Sequence, residues 1–298
     1  MRLTSFQRLA LWTTATTYFL ILVGGLVRAS GAGLGCPDWP RCFGSWIPPA
    51  SAADLPPQFD PAQFNPTLMW TEYVNRLLGV TVGFLIFATT ISAWRHHRRD
   101  ARILWPTIAA FLLVGFEGWL GGRVVAHGLA AWIVTAHLIV AIFIVQLLLY
   151  ATFTATARGT GATRATGATH VIAGLIALTL IQSALGTQVR GHVENALISG
   201  VARDAALATV GRLDYIHRDL AGIVVIAITL LTLWMLSRRS ALVPWAFTAL
   251  GLALLQIAFG VVMAYISLAP AAQVGHLTIA SLLLGAETVL WLRSRRQV

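Results

Sequence analysis

Charged residues are scarce in this chain, 11% of its 298 positions, while 57% are hydrophobic. A soluble domain carries about a quarter charged residues, so a water-soluble globular fold is excluded and the chain reads as a polytopic membrane protein. Lysine is missing altogether, and all 21 residues counted as Lys or Arg are arginines. Short segments of alternating polarity are also missing, which argues against a membrane β-barrel. Cysteine occurs only as Cys36 and Cys42, both within GCPDWPRCFGSW.

What the chain has in quantity is long apolar runs. Stretches of about 20 apolar residues span a bilayer as helices. Eight occur, at roughly 9–28, 68–94, 103–123, 131–153, 168–188, 213–236, 241–263 and 271–292. The first could pass for a signal peptide, but it lacks a small-residue cleavage site and the eight-span topology needs it. The arginines gather in RHHRRDAR at 95–102, at Arg158 and Arg164, at Arg238 and Arg239, and at Arg293, Arg295 and Arg296, with Arg2 and Arg8 at the start. In an eight-helix arrangement these all fall on one side. The positive-inside rule then places both termini in the cytoplasm. The net charge of +10 is thereby accounted for without a nucleic-acid partner.

This topology leaves 29–67 and 189–212 as two long outer loops. Both cysteines lie in the first. An outside location is oxidising and favours a disulfide; a metal pair is less favoured, because no histidine is near in sequence.

A charged cassette occurs twice, as EYVNR at 72–76 and DYIHR at 214–218. The match extends further. GGLVRAS at 24–30 aligns with LGTQVRGH at 185–192, pairing Arg28 with Arg190. Glu117 pairs with Gln256, Gly121 with Gly260, and TAHLIVA, containing His137, with VGHLTIA, containing His276. The expected architecture is therefore an all-α integral membrane protein of two parallel four-helix repeats, residues 1–160 and 161–298. An even number of helices per repeat keeps both copies in one orientation.

Intramembrane polar residues are costly and tend to mark function. His217 and His276 lie at comparable depths near the outer ends of helices 6 and 8. Two imidazoles on facing helices of a four-helix bundle can hold one haem iron between them. A lone intramembrane histidine is more often a packing residue; three at repeat-related positions reverse that preference. The first repeat keeps His137, but Asn75 stands where the second has His217. An amide is a poor iron ligand, so this half should hold iron from one side: one saturated site for electrons, one open site for chemistry. Arg76 and Arg218 can snorkel or pair with haem propionates, and Arg28 and Arg190 are further propionate candidates. Glu72 shares a helix face with Asn75 and can steady a developing cation or move a proton. Glu117 is a weaker candidate for the same pocket. Glu287 reads as an ordinary residue near a cytoplasmic helix end.

Taken together, GGLVRASGAGLGCPDWPRCFGSWIPP at 24–49, EYVNRLLG at 72–79, LGGRVV at 120–125, TAH at 135–137, YIHRDLAG at 215–222 and VGHLTIA at 274–280 resemble the haem A synthase family along essentially the whole chain. The resemblance implies an oxidoreductase that oxidises the C8 methyl of haem O to a formyl group, supplying haem A to terminal oxidases; short loops and the absence of a transit-like leader favour a bacterial cytoplasmic membrane over an organelle. It implies haem b as cofactor, with His217 and His276 as axial ligands. In the substrate half it implies His137 as a ligand, Glu72 as the catalytic acid, and a Cys36–Cys42 disulfide. The family's commonest pattern has histidine at position 75, and some members carry a second cysteine pair that 189–212 lacks. Expected partners are the lipid bilayer, a haem O synthase and an electron donor; the oligomeric state, a homo-oligomer included, stays open. The competing readings are a membrane haem b cytochrome that only relays electrons, and a haem carrier without oxidation chemistry.

Overall fold

The computed structural model describes residues 3–156 and 167–295. Eight helices among them are long and apolar enough to cross a membrane: α1 Ser5–Ala29, α2 Pro66–His97, α3 Ala101–Ala126, α4 Ala131–Thr156, α5 Gly167–Ile198, α6 Arg212–Ser237, α7 Val243–Val261 and α8 Pro270–Ser294. Local chemistry explains several of the starts. Thr4 and Gln7 form a reciprocal capping box for α1, Asn65 caps α2 ahead of Pro66, and Asp100 caps α3. Side chains of this kind satisfy the otherwise orphaned first-turn N–H groups.

Helices α1 to α4 pack in a ring, α1 on α2, α2 on α3, α3 on α4 and α4 back on α1; α5 to α8 repeat the same ring. In each ring the second and fourth helices are therefore diagonal. The rings join through α1 against α8 and α4 against α5, with α4 also touching α8. Exchanging the two rings maps one of these joints onto the other, which fits the expected duplication.

The cores are small and apolar, one under Ile172, Ile228, Met235 and Leu283 and one under Val82, Ile86, Ile144 and Leu148. Threonine pairs supplement them between helices: Thr13 with Thr89 at 2.8 Å and Thr135 with Thr187 at 2.5 Å. Outward-facing Trp12, Phe84, Leu112 and Leu230 are exposed, the surface expected of a chain solvated by lipid rather than water.

One end of the bundle gathers the start of α1 and the ends of α2, α4 and α8. Gln7 donates to the Ala155 carbonyl at 2.7 Å, Phe6 packs on His97 and Thr169 meets Ser294 at 3.1 Å. Arg8, Arg95, Arg98, Arg99, Arg102, Arg238, Arg239, Arg293 and Arg295 all lie at this end. Arg2, Arg158, Arg164 and Arg296, counted above for topology, lie outside the described residues.

Two sequence expectations change, one at each end of the bundle. Residues 189–198 are not loop but the last turns of α5, which has 32 residues, about 48 Å at 1.5 Å per residue against a hydrocarbon core of about 30 Å. The overshoot is held because Val193 packs with Ala206 and Val210 in a satellite core. Glu287, read as an ordinary residue near a helix end, is instead a core residue. It is wholly buried and accepts a hydrogen bond from Thr179 at 3.0 Å.

Candidate functional site

The outer cysteine loop is folded onto the start of α2. Cys36 and Cys42 are joined by a disulfide and are buried with Phe43 and Met69. Gly35 permits the docking: a Cβ there would meet the Leu68 carbonyl oxygen at 2.3 Å. Glu72, 4% exposed, accepts from the Cys36 N–H at 2.8 Å, and its other oxygen pairs with Arg76. Arg76 also donates to the carbonyls of Asp38 at 2.7 Å, Arg41 at 2.8 Å and Cys36 at 3.1 Å. Its guanidinium thus clamps the loop, a set of partners the sequence did not indicate. Both oxygens of Glu72 are engaged, so its carboxyl group is held in a fixed place. In α6, Asp214 and Arg218 repeat the same i,i+4 pair at 2.7 Å, and Arg218 reaches Tyr265 Oη at 2.8 Å.

One turn deeper, the two diagonal helices of each ring carry the positions expected to face iron: Asn75 on α2 and His137 on α4, His217 on α6 and His276 on α8. The three imidazoles differ at Nδ1 and agree at Nε2. Nδ1 of His137 and of His217 is buried without a hydrogen-bond partner, and Nδ1 of His276 reaches the Gln256 carbonyl at 3.1 Å. Nε2 is not among the buried unpartnered atoms in any of the three, and it has no partner among the described residues. The nitrogen suited to a metal is therefore the open one. By contrast, His96, His127 and His192 each turn Nδ1 back to the carbonyl four residues earlier on their own helix; these are exposed rings of the bundle ends.

Each ligand position also rests on a glycine of the preceding helix. A Cβ on Gly186 of α5 would stand 2.9 Å from His217 Cε1, on Gly121 of α3 3.4 Å from His137 Cε1, and on Gly260 of α7 3.4 Å from His276 Cε1. Gly24 of α1 faces Asn75, at 3.9 Å from Oδ1. Gln182, one turn before Gly186, donates to the His217 carbonyl at 2.8 Å, so α5 fixes both the backbone and the ring of that residue. The sequence carried a signal for this cradle that went unread: a polar residue four places before the glycine, in Glu117–Gly121, Gln182–Gly186 and Gln256–Gly260.

His217 and His276 stand on α6 and α8, the diagonal helices of the second ring. Open Nε2 atoms on diagonal helices, flanked by glycines that leave room beside the rings, fit a flat iron macrocycle held from two sides. In the first ring only His137 offers such an atom. Asn75 Oδ1 is buried and has no partner, and an amide does not substitute for imidazole at iron. Among the described residues no three His, Cys, Asp or Glu side chains cluster as a free-standing metal site.

The arginines divide by partner. Arg28 pairs with Glu194 at 2.8 Å across the joint between the rings. Arg190 is beside both but makes no ion pair among the described residues, and its Nε is buried without a partner.

Residues 7–288 match a family described as cytochrome oxidase assembly protein. Similar curated proteins are each named heme A synthase. That of Sinorhizobium fredii is 27% identical over 196 residues, covering 58% of this chain and 53% of its own length. That of Methylorubrum extorquens is 31% identical over 195 residues, 58% and 50%, and that of Allorhizobium ampelinum 29% over 128 residues, 38% and 35%. The chain thus spans about half, or less, of the length of these relatives.

Proposed function

Because the chain belongs to the haem A synthase family of cytochrome oxidase assembly proteins, we propose that it is a membrane oxidoreductase converting haem O into haem A. The C8 methyl group of the substrate is oxidised to a formyl group by successive hydroxylations. In this reading residues 1–160 form the substrate unit and 161–298 the cofactor unit. The Arg-rich end, with both termini, faces the cytoplasm of a bacterial cell. An electron donor and a haem O synthase are the partners.

The observation that carries the reading is the set of three inward imidazoles with open Nε2 atoms, two in one ring and one in the other. His217 and His276 would hold haem b from both sides, and His137 would hold the substrate haem from one side. Haem b, when bound, supplies one-electron transfer to the substrate unit. Asn75 keeps the opposite side free of a second strong ligand and offers its amide to water or an oxygen species. Glu72, fixed by Cys36 and Arg76, stabilises positive charge developing at the methyl group, since a preorganised charge acts strongly where water is excluded. Arg190 is the best placed of the propionate candidates, because Arg28 and Arg218 already share carboxylates.

The test is chemical. Haems extracted from cells that make haem O should include haem A or its hydroxylated intermediate only when this chain is produced. Unchanged haem O alone would sink the assignment. One observation favours a second reading, a haem carrier: Asn75 leaves the first ring with a single ligand. That reading expects haem O bound in stoichiometric amount and recovered unaltered. A cytochrome that only relays electrons expects no haem O in the first ring at all.

A further inference from the structure

The two rings hold their fourth-helix histidine differently, although the residues involved are repeat-related throughout. In the second ring the His276 Nδ1 is taken by a main-chain oxygen, the carbonyl of Gln256 at 3.1 Å. The Gln256 side-chain oxygen is buried and unused. In the first ring the equivalent position is Glu117, and here the side chain turns to the histidine: Oε1 lies 3.1 Å from His137 Nδ1. Both Glu117 oxygens and His137 Nδ1 are buried and none of the three has a hydrogen-bond partner, so the carboxyl group and the ring nitrogen face each other with their bonding capacity unspent. The side chain is 12% exposed, while His137 keeps 40% of its side-chain surface open. One turn further along α3, Gly121 underlies the same ring. Helix α3 therefore meets His137 at two adjacent points, a carboxyl group at Nδ1 and a flat glycine surface at Cε1.

We propose that Glu117 is the positioning residue of His137, its carboxyl oxygen taking the Nδ1 hydrogen so that Nε2 presents its lone pair to substrate iron. This rests on the reading of His137 as the substrate-haem ligand. Groups that accept a hydrogen bond from the outer nitrogen of a ligating imidazole fix its tautomer and raise its basicity. The two rings are thus built unlike in a second respect besides Asn75. The cofactor unit has a neutral main-chain acceptor that no side-chain substitution removes. The substrate unit has a side-chain carboxyl group in that place, which substitution can remove. A ligand that must hold iron alone gains most from such support.

The experiment compares wild type, Glu117→Gln and Glu117→Ala, with Gln256→Ala as the matching change in the other ring. In haem-free protein carrying nitrogen-15 histidine, the His137 signals, identified by their loss in His137→Ala, should report hydrogen on Nδ1. They should move toward a mixture of tautomers in Glu117→Ala. In protein loaded with haem O, the iron–imidazole stretching band in resonance Raman spectra should shift to lower frequency in Glu117→Gln and further in Glu117→Ala. Gln256→Ala should leave the low-spin spectrum of the second ring unchanged. Glu117→Gln preserves size and shape, so a spectral shift in it reports the lost carboxyl group and not a lost fold. Wild-type tautomer signals and an unmoved band in Glu117→Ala would overturn the proposal while leaving His137 as ligand. If His137→Ala itself keeps haem O with an unchanged band, the reading of His137 fails instead, and the haem-free spectra alone then decide whether Glu117 sets the tautomer.

Discussion

Gly186→Ala is expected to cost the protein most of the haem b proposed for the second ring while leaving the helices intact. The new methyl group would stand 2.9 Å from His217 Cε1 and 3.6 Å from both ring nitrogens, closer than carbon atoms approach without strain. The ring cannot yield by moving its backbone, because Gln182 holds the His217 carbonyl from the same helix. It must rotate, and an imidazole that rotates away from its glycine no longer aims Nε2 across the ring of helices. Helix propensity points the other way: alanine is favoured over glycine inside a helix by about 1 kcal/mol, against about 1–3 kcal/mol for overpacking. The fold should therefore survive, and the two effects separate cleanly. Haem content per protein should fall severalfold with unchanged helical circular dichroism. Gly260→Ala, at 3.4 Å from His276, should do less, and Gly24→Ala, at 3.9 Å from Asn75, should leave the haem b content untouched. A wild-type haem content in Gly186→Ala would remove the cradle from the account.

Glu72→Gln should lower haem A formation by about two orders of magnitude, the scale of removing one preorganised electrostatic group from a reaction site, with the haem b spectrum unaltered. Glutamine keeps the size of the side chain and can still accept the Cys36 N–H, so the loop stays docked while the charge is lost. Glu72→Ala should be worse, because it also leaves Arg76 without its acid. Removing one partner of a buried pair costs about 3–5 kcal/mol, and the side chains here are 14% and 5% exposed. The distinguishing measurement is turnover set beside protease sensitivity of residues 29–67. Glu72→Gln should lose turnover without gaining cleavage. If it converts haem O at the wild-type rate, the electrostatic role is wrong, although the haem b assignment would stand.

Much of this was legible in the sequence, because membrane proteins write their spans as apolar runs and their sites as polar interruptions. Eight runs became eight helices, and the EYVNR and DYIHR cassettes became the second helix of each ring, with matching acid–arginine pairs. What escaped was whatever depends on a neighbouring helix. Helix α5 was cut short at 188 because an apolar-run criterion stops where polarity begins, whereas the extension is amphipathic and is held by Val193 against Val210. Arg76 was read toward a propionate because nothing in EYVNR shows that the loop carrying Cys36 folds back over it. Glu287 was placed by its distance from the chain end, and packing of α8 against α5 buried it. The glycine beneath each ligand position lies on a different helix, so only the recurring polar residue four places earlier could have hinted at it.

The most direct measurement is the optical and paramagnetic resonance spectrum of the purified protein beside His217→Ala, His276→Ala and His137→Ala. The account predicts a low-spin haem b signal that either of the first two changes abolishes and the third leaves intact. A low-spin haem b signal that survives both His217→Ala and His276→Ala, or that disappears in His137→Ala alone, would contradict it.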